Sequence, residues 1–136
     1  MSYLLDTCII SELVKPGPDP RVVDWLMQTP EDSKFVSVVS LAEIRFGIMC
    51  APAGRKRDRL EVWFDVELRP SLADRVVQFS ESVAMRWAAL RTERRNAPIL
   101  DSQIAASALE HSLTLVTRNV RDFAFVGLNV FNPWER

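Results

Sequence analysis

The chain is poor in residues that often carry chemistry on their own: one histidine, one tyrosine, two cysteines and four glycines in 136 residues. The single His111 excludes a histidine-rich zinc site, which needs several imidazoles or thiolates. It also leaves one candidate base for a Ser-His-Asp arrangement, with Ser107 four residues upstream on the same helical segment. A histidine at a helix C-terminus more commonly compensates the helix dipole. Cys8 and Cys50 form no Cys-x-x-Cys pair and fall in segments that read as helical, which fits a reduced setting. A phosphatase-type cysteine nucleophile wants an arginine six positions on, and after Cys8 that residue is Val14.

Long apolar runs are missing as well. The N-terminal segment Met1-Ser2-Tyr3-Leu4-Leu5 has no basic stretch before it and is cut short by Asp6, so it is not a signal peptide. No segment is apolar over the length needed to span a bilayer. The expectation is a soluble, cytoplasmic protein without membrane contact. Internal repeats and low-complexity tracts are absent, and the length fits one domain over residues 1–136. With 48% apolar residues, such a chain buries about two-thirds of its unfolded surface without disulfides or structural metals.

Charge of one sign is lacking too. Seventeen basic residues against eighteen acidic ones give a net charge of -1, which excludes a broadly basic nucleic-acid binder. If four carboxylates are committed to a cation, 17 basic groups face 14 acidic ones, a balance of +3. That suits transient contact with a phosphate backbone.

What the chain does have is an alternation of strand and helix patterns. Tyr3 to Asp6 reads as a short buried strand, followed by a helix through Val14. Lys15-Pro16-Gly17-Pro18-Asp19-Pro20 reads as a loop, and Pro20 opens an amphipathic helix with Val23, Trp25 and Leu26. Phe35 to Val39 reads as a strand, Ser40 to Cys50 as a helix, and Gly54 to Leu68 as a helix stopped before Pro70. Val76 to Phe79 is a short strand, Ser80 to Asn96 a long helix, and Asp101 to His111 an alanine-rich helix. Leu113 to Thr117 and Leu128 to Phe131 are the last strands. Strands separated by helices predict an α/β fold of three layers, α/β/α, with a mainly parallel central sheet. Ligands of such sheets bind beyond the carboxyl ends of the strands.

Four acids fall at or near that edge. Asp6 ends the first strand, Glu43 lies in the first turn after the second, and Asp122 follows the Leu113 strand past Thr117-Arg118-Asn119. Asp101 opens a helix running antiparallel to the strands, so its place at the same edge depends on how the preceding helix turns into it. Each has a structural reading. Ser40-x-x-Glu43 fits a capping box, Asp101 favours a helix dipole, Asp6 is a helix cap and Asp122 closes a turn. The group together reads otherwise. Two carboxylates at about 4 Å repel by roughly 4 kcal/mol at an effective dielectric of 20, so a cluster of four calls for a cation. Mg²⁺ takes oxygen ligands, keeps several waters and is bound through one or two carboxylates plus substrate phosphates. Such a site activates water for in-line attack on a phosphodiester without a histidine or a substrate 2′-hydroxyl.

These segments resemble the PIN-domain family, specifically bacterial VapC-type toxins. Leu4-Leu5-Asp6-Thr7-Cys8-Ile9-Ile10-Ser11-Glu12 is similar to that family's opening strand and helix. Ser37-Val38-Val39-Ser40-Leu41-Ala42-Glu43-Ile44-Arg45-Phe46-Gly47 resembles its second acidic motif, Asp101-Ser102-Gln103-Ile104-Ala105-Ala106-Ser107-Ala108 its third, and Leu115-Val116-Thr117-Arg118-Asn119-Val120-Arg121-Asp122-Phe123 its fourth. The motifs occur in family order over nearly the whole chain. The resemblance implies Mg²⁺- or Mn²⁺-dependent endoribonuclease activity, a homodimer and a cognate antitoxin that blocks the acidic site. By position, Asp6, Glu43 and Asp101 match the acidic triad, Asp122 a more variable fourth acid, and Thr117 and Asn119 polar residues that orient carboxylates or substrate. One departure stands out: the family usually has Asn or Ser where this chain has Cys8, and a thiol is a poor hydrogen-bond donor.

Arg91, Arg94 and Arg95 form a basic helix end near Asp101, a candidate phosphate-guiding rim. Arg55-Lys56-Arg57-Asp58-Arg59 reads as a solvated helix start, and Trp25, Trp63, Trp87 and Trp134 as core or interface residues. Competing classes have specific gaps. A receiver-like signalling domain wants a lysine after a late strand, and no lysine follows Lys56. A haloacid-dehalogenase-type phosphatase wants Asp-x-Asp where this chain has Asp6-Thr7-Cys8. A metal-dependent DNase would use the same chemistry, and a module weakened by Cys8 would bind metal or antitoxin without turnover.

Overall fold

A computed structural model describes residues 1–135; Arg136, the last residue of the expected domain, lies outside the described residues. Five strands, β1 (Tyr3–Leu5), β2 (Lys34–Ser37), β3 (Val76–Val77), β4 (Thr114–Val116) and β5 (Val130–Phe131), form one sheet in the order β3-β2-β1-β4-β5. Every pairing is parallel, so the sheet is wholly rather than mainly parallel. β1 is central, with Leu4 in register with Phe35 on one side and Leu115 on the other.

The two-residue period of a strand explains the layers. Leu4 and Leu115 face one way and are fully buried with Val83, Leu90, Ile104, Ala105 and Ala108 of α6 (Glu81–Glu93) and α7 (Ile99–Glu110). Their neighbours Leu5, Val36 and Val116 face the other way. There they meet Ile9 and Ile10 of α1 (Thr7–Leu13), and Val22, Trp25 and Leu26 of α2 (Pro20–Gln28). Ile44 and Ile48 of α3 (Val38–Cys50) join that cluster. Burial on both faces is the rule for parallel sheets. The alanines of α7 leave little side chain between its backbone and the sheet, so the helix that carries Asp101 lies close to β1 and β4.

The element boundaries correct several expectations. β2 stops at Ser37, not Val39, because Ser37 turns its hydroxyl to the Val39 N–H (3.0 Å) and starts α3 there. Glu43 therefore lies in the second turn of α3. The expected capping box is not formed: Ser40 sits inside the helix, fully buried, with its hydroxyl unpartnered among the described residues. Downstream, the helix does not stop before Pro70. α4 (Arg55–Val62) passes into wide π-turns over Trp63–Leu68 and a last turn, α5 (Arg69–Ser71), that contains Pro70. Proline removes one helical N–H, and wider turns just ahead of it absorb the lost bond. α6 ends at Glu93, leaving Arg94 and Arg95 beyond the helix. β5 is two residues long where four were expected.

The proline loop between α1 and α2 is held by Glu12, a buried acid whose carboxylate accepts the Asp19 N–H at 2.8 Å and Lys15 Nζ at 3.2 Å. Asp19 in turn caps α2.

Candidate functional site

Asp6 leaves β1 in extended conformation and caps α1, with Oδ1 accepting the Thr7 N–H at 2.8 Å. Its other oxygen accepts the Thr117 hydroxyl at 2.7 Å. Thr117 follows β4 directly and is fully buried; its Oγ1 also accepts the Asn119 N–H at 3.0 Å. The helix cap expected of Asp6 is formed, and it fixes the carboxylate that stands at the sheet edge. Burial pushes the Asp6 carboxyl up, against hydrogen bonds from Thr117, Thr7 and Cys8.

Glu43 is held by a residue without an expected role. Thr7 donates its hydroxyl to Glu43 Oε1 at 2.8 Å and so ties the first turn of α1 to the second turn of α3. The only hint in the sequence was the place of Thr7 directly after Asp6.

Asp101 is the third residue of α7. Because α7 precedes β4 in a parallel sheet, it runs against the strands and begins at their carboxyl edge. Half-buried Asp101 accepts no side-chain hydrogen bond among the described residues. Its carboxyl is pushed up to about 6, first by burial and then by the charges of Asp6, Asp122 and Glu43. Asp101 thus feels the charge of the other three acids at the edge where the chain pattern left its place open. Trp87 of α6 secures this turn, donating its indole N–H to the Ser102 hydroxyl at 2.8 Å, while Ser102 donates to the Ile99 carbonyl at 2.6 Å. From the sequence, Trp87 reads as a core or interface residue and Ser102 as part of the third motif, neither with a role in presenting Asp101.

Asp122 is exposed in a 3₁₀ turn, Val120–Phe123, whose first bond runs from the Asp122 N–H to the Asn119 carbonyl (3.0 Å). Asn119 therefore shapes the turn through its backbone, and its side chain is free at the surface. Arg94 donates to the Asp122 carbonyl at 3.2 Å and lies 4.6 Å over the Phe125 ring. Glu93 accepts the Val126 N–H at 2.9 Å. Arg94 is thus a strut for the Asp122 loop. Arg91 packs 5.5 Å over Trp87, and Arg95 is exposed.

Cys8 Sγ lies 3.5 Å from both Asp6 Oδ2 and Thr117 Oγ1. Burial and the Asp6 charge push its thiol up to about 11, so it is no thiolate nucleophile. The Ser107–His111 alternative also fails: Ser107 donates its hydroxyl to the Gln103 carbonyl, and His111 is exposed at the end of α7.

Among the described residues, no three acidic, cysteine or histidine side chains close into a ready-made metal cage. The donor set fits a hard cation nonetheless. Its oxygens come from four acids, three of which add their charge to the burial that raises Asp101, and Mg²⁺ needs only one or two protein carboxylates beside water and substrate.

A parallel α/β sheet with opposed acids at the carboxyl ends of its central strands defines a PIN-like domain. The chain belongs to the PIN-domain family, whose profile matches residues 3–127, and it resembles VapC-type members. It is 36% identical to a VapC ribonuclease, Y4jK, of Sinorhizobium fredii, over 97% of this chain and 97% of that protein. The fold is similar to FitAcB from Neisseria gonorrhoeae at a TM-score of 0.93, 35% identity and coverage of 98% and 99% of the two chains. A toxin–antitoxin complex from Klebsiella pneumoniae matches at a TM-score of 0.73 and 28% identity, over 97% and 98%. No helix among the described residues is long and apolar enough to cross a membrane.

Proposed function

We propose that the protein is the ribonuclease toxin of a toxin–antitoxin pair, an endonuclease that hydrolyses RNA phosphodiesters with Mg²⁺ or Mn²⁺ at Asp6, Glu43, Asp101 and Asp122. The observation that carries the reading is the half-buried, unpartnered Asp101 carboxyl, raised first by burial and then by the charges of Asp6, Asp122 and Glu43. A structural cap would be bonded to the amides of its own helix; Asp101 instead faces like charge, which a bound cation offsets. The similarity to a named VapC ribonuclease over nearly the full length of both chains supports RNA as substrate. The similarity to a toxin–antitoxin complex supports an antitoxin as partner. A homodimer and a cytoplasmic setting complete the proposal.

In this reading Asp6 and Asp101 are the principal metal ligands, with Glu43 and Asp122 completing the set. The metal, when bound, supplies a lowered water pKa and charge neutralisation at the phosphoryl oxygens. The chain's own contribution is orientation. Thr117 and the Thr7 amide hold both Asp6 oxygens, Thr7 Oγ1 aims Glu43, and Trp87 with Ser102 fixes the turn that presents Asp101. Arg91 and Arg95 are the phosphate-guiding groups of the α6 end, while Arg94 acts through Asp122.

The deciding experiment is cleavage of a mixed RNA pool by purified protein with Mg²⁺ or Mn²⁺, beside EDTA and Asp6→Ala controls. Cutting that both controls abolish is the expected result; cutting that survives either one refutes the metal mechanism. A second reading rests on the long, weak contacts of Cys8, which leave Asp6 with one good donor fewer. In that case the chain binds metal and antitoxin without turnover, and Cys8→Asn restores cleavage.

A further inference from the structure

Next to Asp122 the acidic edge opens into a cleft of about 570 Å³ lined by Arg118, Asn119, Val120, Arg121, Asp122 and Glu135. This volume falls within the range of small-ligand sites, roughly 300–1,000 Å³. Its floor is built. The Trp134 indole is buried, and its backbone N–H donates to the Asn132 side chain at 2.9 Å. The Arg118 guanidinium lies 5.4 Å over that ring, so the exposed cation is seated against a fixed aromatic surface. Arg118 and Arg121 are both exposed, and neither meets a carboxylate at ion-pair distance among the described residues. Asp19, the cap of α2, feels the Arg118 charge but is already gripped by the Arg21 guanidinium through two bonds. Glu135 stands on the same cleft, and Asp122 closes the side facing the acidic edge.

We propose that this cleft receives one unpaired nucleotide of the RNA strand, adjoining the phosphodiester held at the acidic edge. Its base stacks on the free face of the Arg118 guanidinium, and its phosphate lies against Arg121. The inference rests on the RNA reading above and adds a subsite to it. A guanidinium plane stacks on bases much as aromatic rings do, whatever the base identity. Here the plane is preset by Trp134, so little side-chain freedom is lost on binding. A base stacks this way only when it is splayed from a helix, so the cleft selects single-stranded RNA over duplex. The Asn119 side chain, which does not hold the turn, is free to meet the base edge.

The test separates stacking from charge. Binding is read in Asp101→Asn protein, by fluorescence anisotropy of a labelled mixed-sequence RNA of about 12 nucleotides, single-stranded or as duplex. Adding Arg118→Gln weakens single-strand binding about ten-fold, as loss of one stacked base does, and leaves duplex binding nearly unchanged. Adding Arg118→Lys keeps the charge and the fold but loses the plane, and it weakens binding almost as much. Full rescue by lysine, or equal loss for single strand and duplex, overturns the proposal. Unaltered thermal midpoints of the three proteins exclude a folding defect. Cleavage by the wild type without the Arg118 pattern overturns the cleft alone. The Arg118 pattern without wild-type cleavage upholds the cleft and sinks the nuclease reading.

Discussion

The Thr117 hydroxyl donates to the Asp6 carboxylate at 2.7 Å, joining residues 111 positions apart at the ends of neighbouring strands β1 and β4. Thr117 is fully buried, so this bond has no competing water. Groups that orient a metal-binding side chain typically change affinity or activity by about 10–100-fold when lost. Thr117→Val should lower RNA cleavage by that order, and Thr117→Ser should recover most of it. Equal activity in the valine variant would remove Thr117 from the site.

Arg94 and Arg95 are adjacent but should behave differently. Arg94 touches the Asp122 loop through its backbone carbonyl and the Phe125 ring, whereas Arg95 is exposed. Arg94→Gln should lower kcat about ten-fold with little change in KM, because it loosens a carboxylate position. Arg95→Gln should raise KM modestly and leave kcat alone. Steady-state cleavage of one defined RNA at several salt concentrations separates the two. If Arg94→Gln changes KM only, it guides phosphate after all.

The fold was legible because the strand pattern is strong. Leu4, Leu5, Val36, Leu115 and Val116 are apolar on both strand faces, which only a sheet covered on two sides explains. The four acids of the proposed site are candidates by their places after strands or at a helix start. Their supports are not. The Thr7–Glu43 bond spans 36 positions and the Trp87–Ser102 bond joins two helices, and neither leaves a local pattern in the chain. The capping box misled because Ser37 and Ser40 offer similar caps three residues apart. Ser37 won by standing where the strand ends, and the burial of Ser40 followed.

Ser112 follows α7 with a φ of 54°, a left-handed conformation that costs a non-glycine residue roughly 1 kcal/mol. The turn closes α7 with the Leu113 N–H on the Ala108 carbonyl at 2.8 Å, an arrangement that normally uses glycine. Ser112→Gly should therefore raise stability by up to about 0.5 kcal/mol, net of the added freedom of the unfolded chain. Urea unfolding of both proteins checks it. A loss of stability would mean that the serine side chain contributes to the turn.

Asp101 gives the metal-free protein a pH dependence of definite sign. Its carboxyl titrates near 6 in the folded chain against 3.8 ordinarily, through burial first and the charges of Asp6, Asp122 and Glu43 after it. A raised acid penalises the folded state once it loses its proton. Below about pH 4 the group is protonated in both states and has no effect on stability. As pH rises from about 4 to 6, the unfolded chain gives up the proton first, and stability falls; above about 6 the full penalty is present. Asp101→Asn should thus stabilise the metal-free protein at pH 8 by on the order of 1 kcal/mol, discounted for the half-exposed position, with no gain near pH 4. A cation that the four acids hold cancels the same repulsion. Adding Mg²⁺ at pH 8 should therefore raise the wild-type melting temperature more than that of Asp101→Asn, and narrow the gap between them. A gain from Asp101→Asn that does not vary with pH would trace it to helix propensity and remove the electrostatic argument for the site.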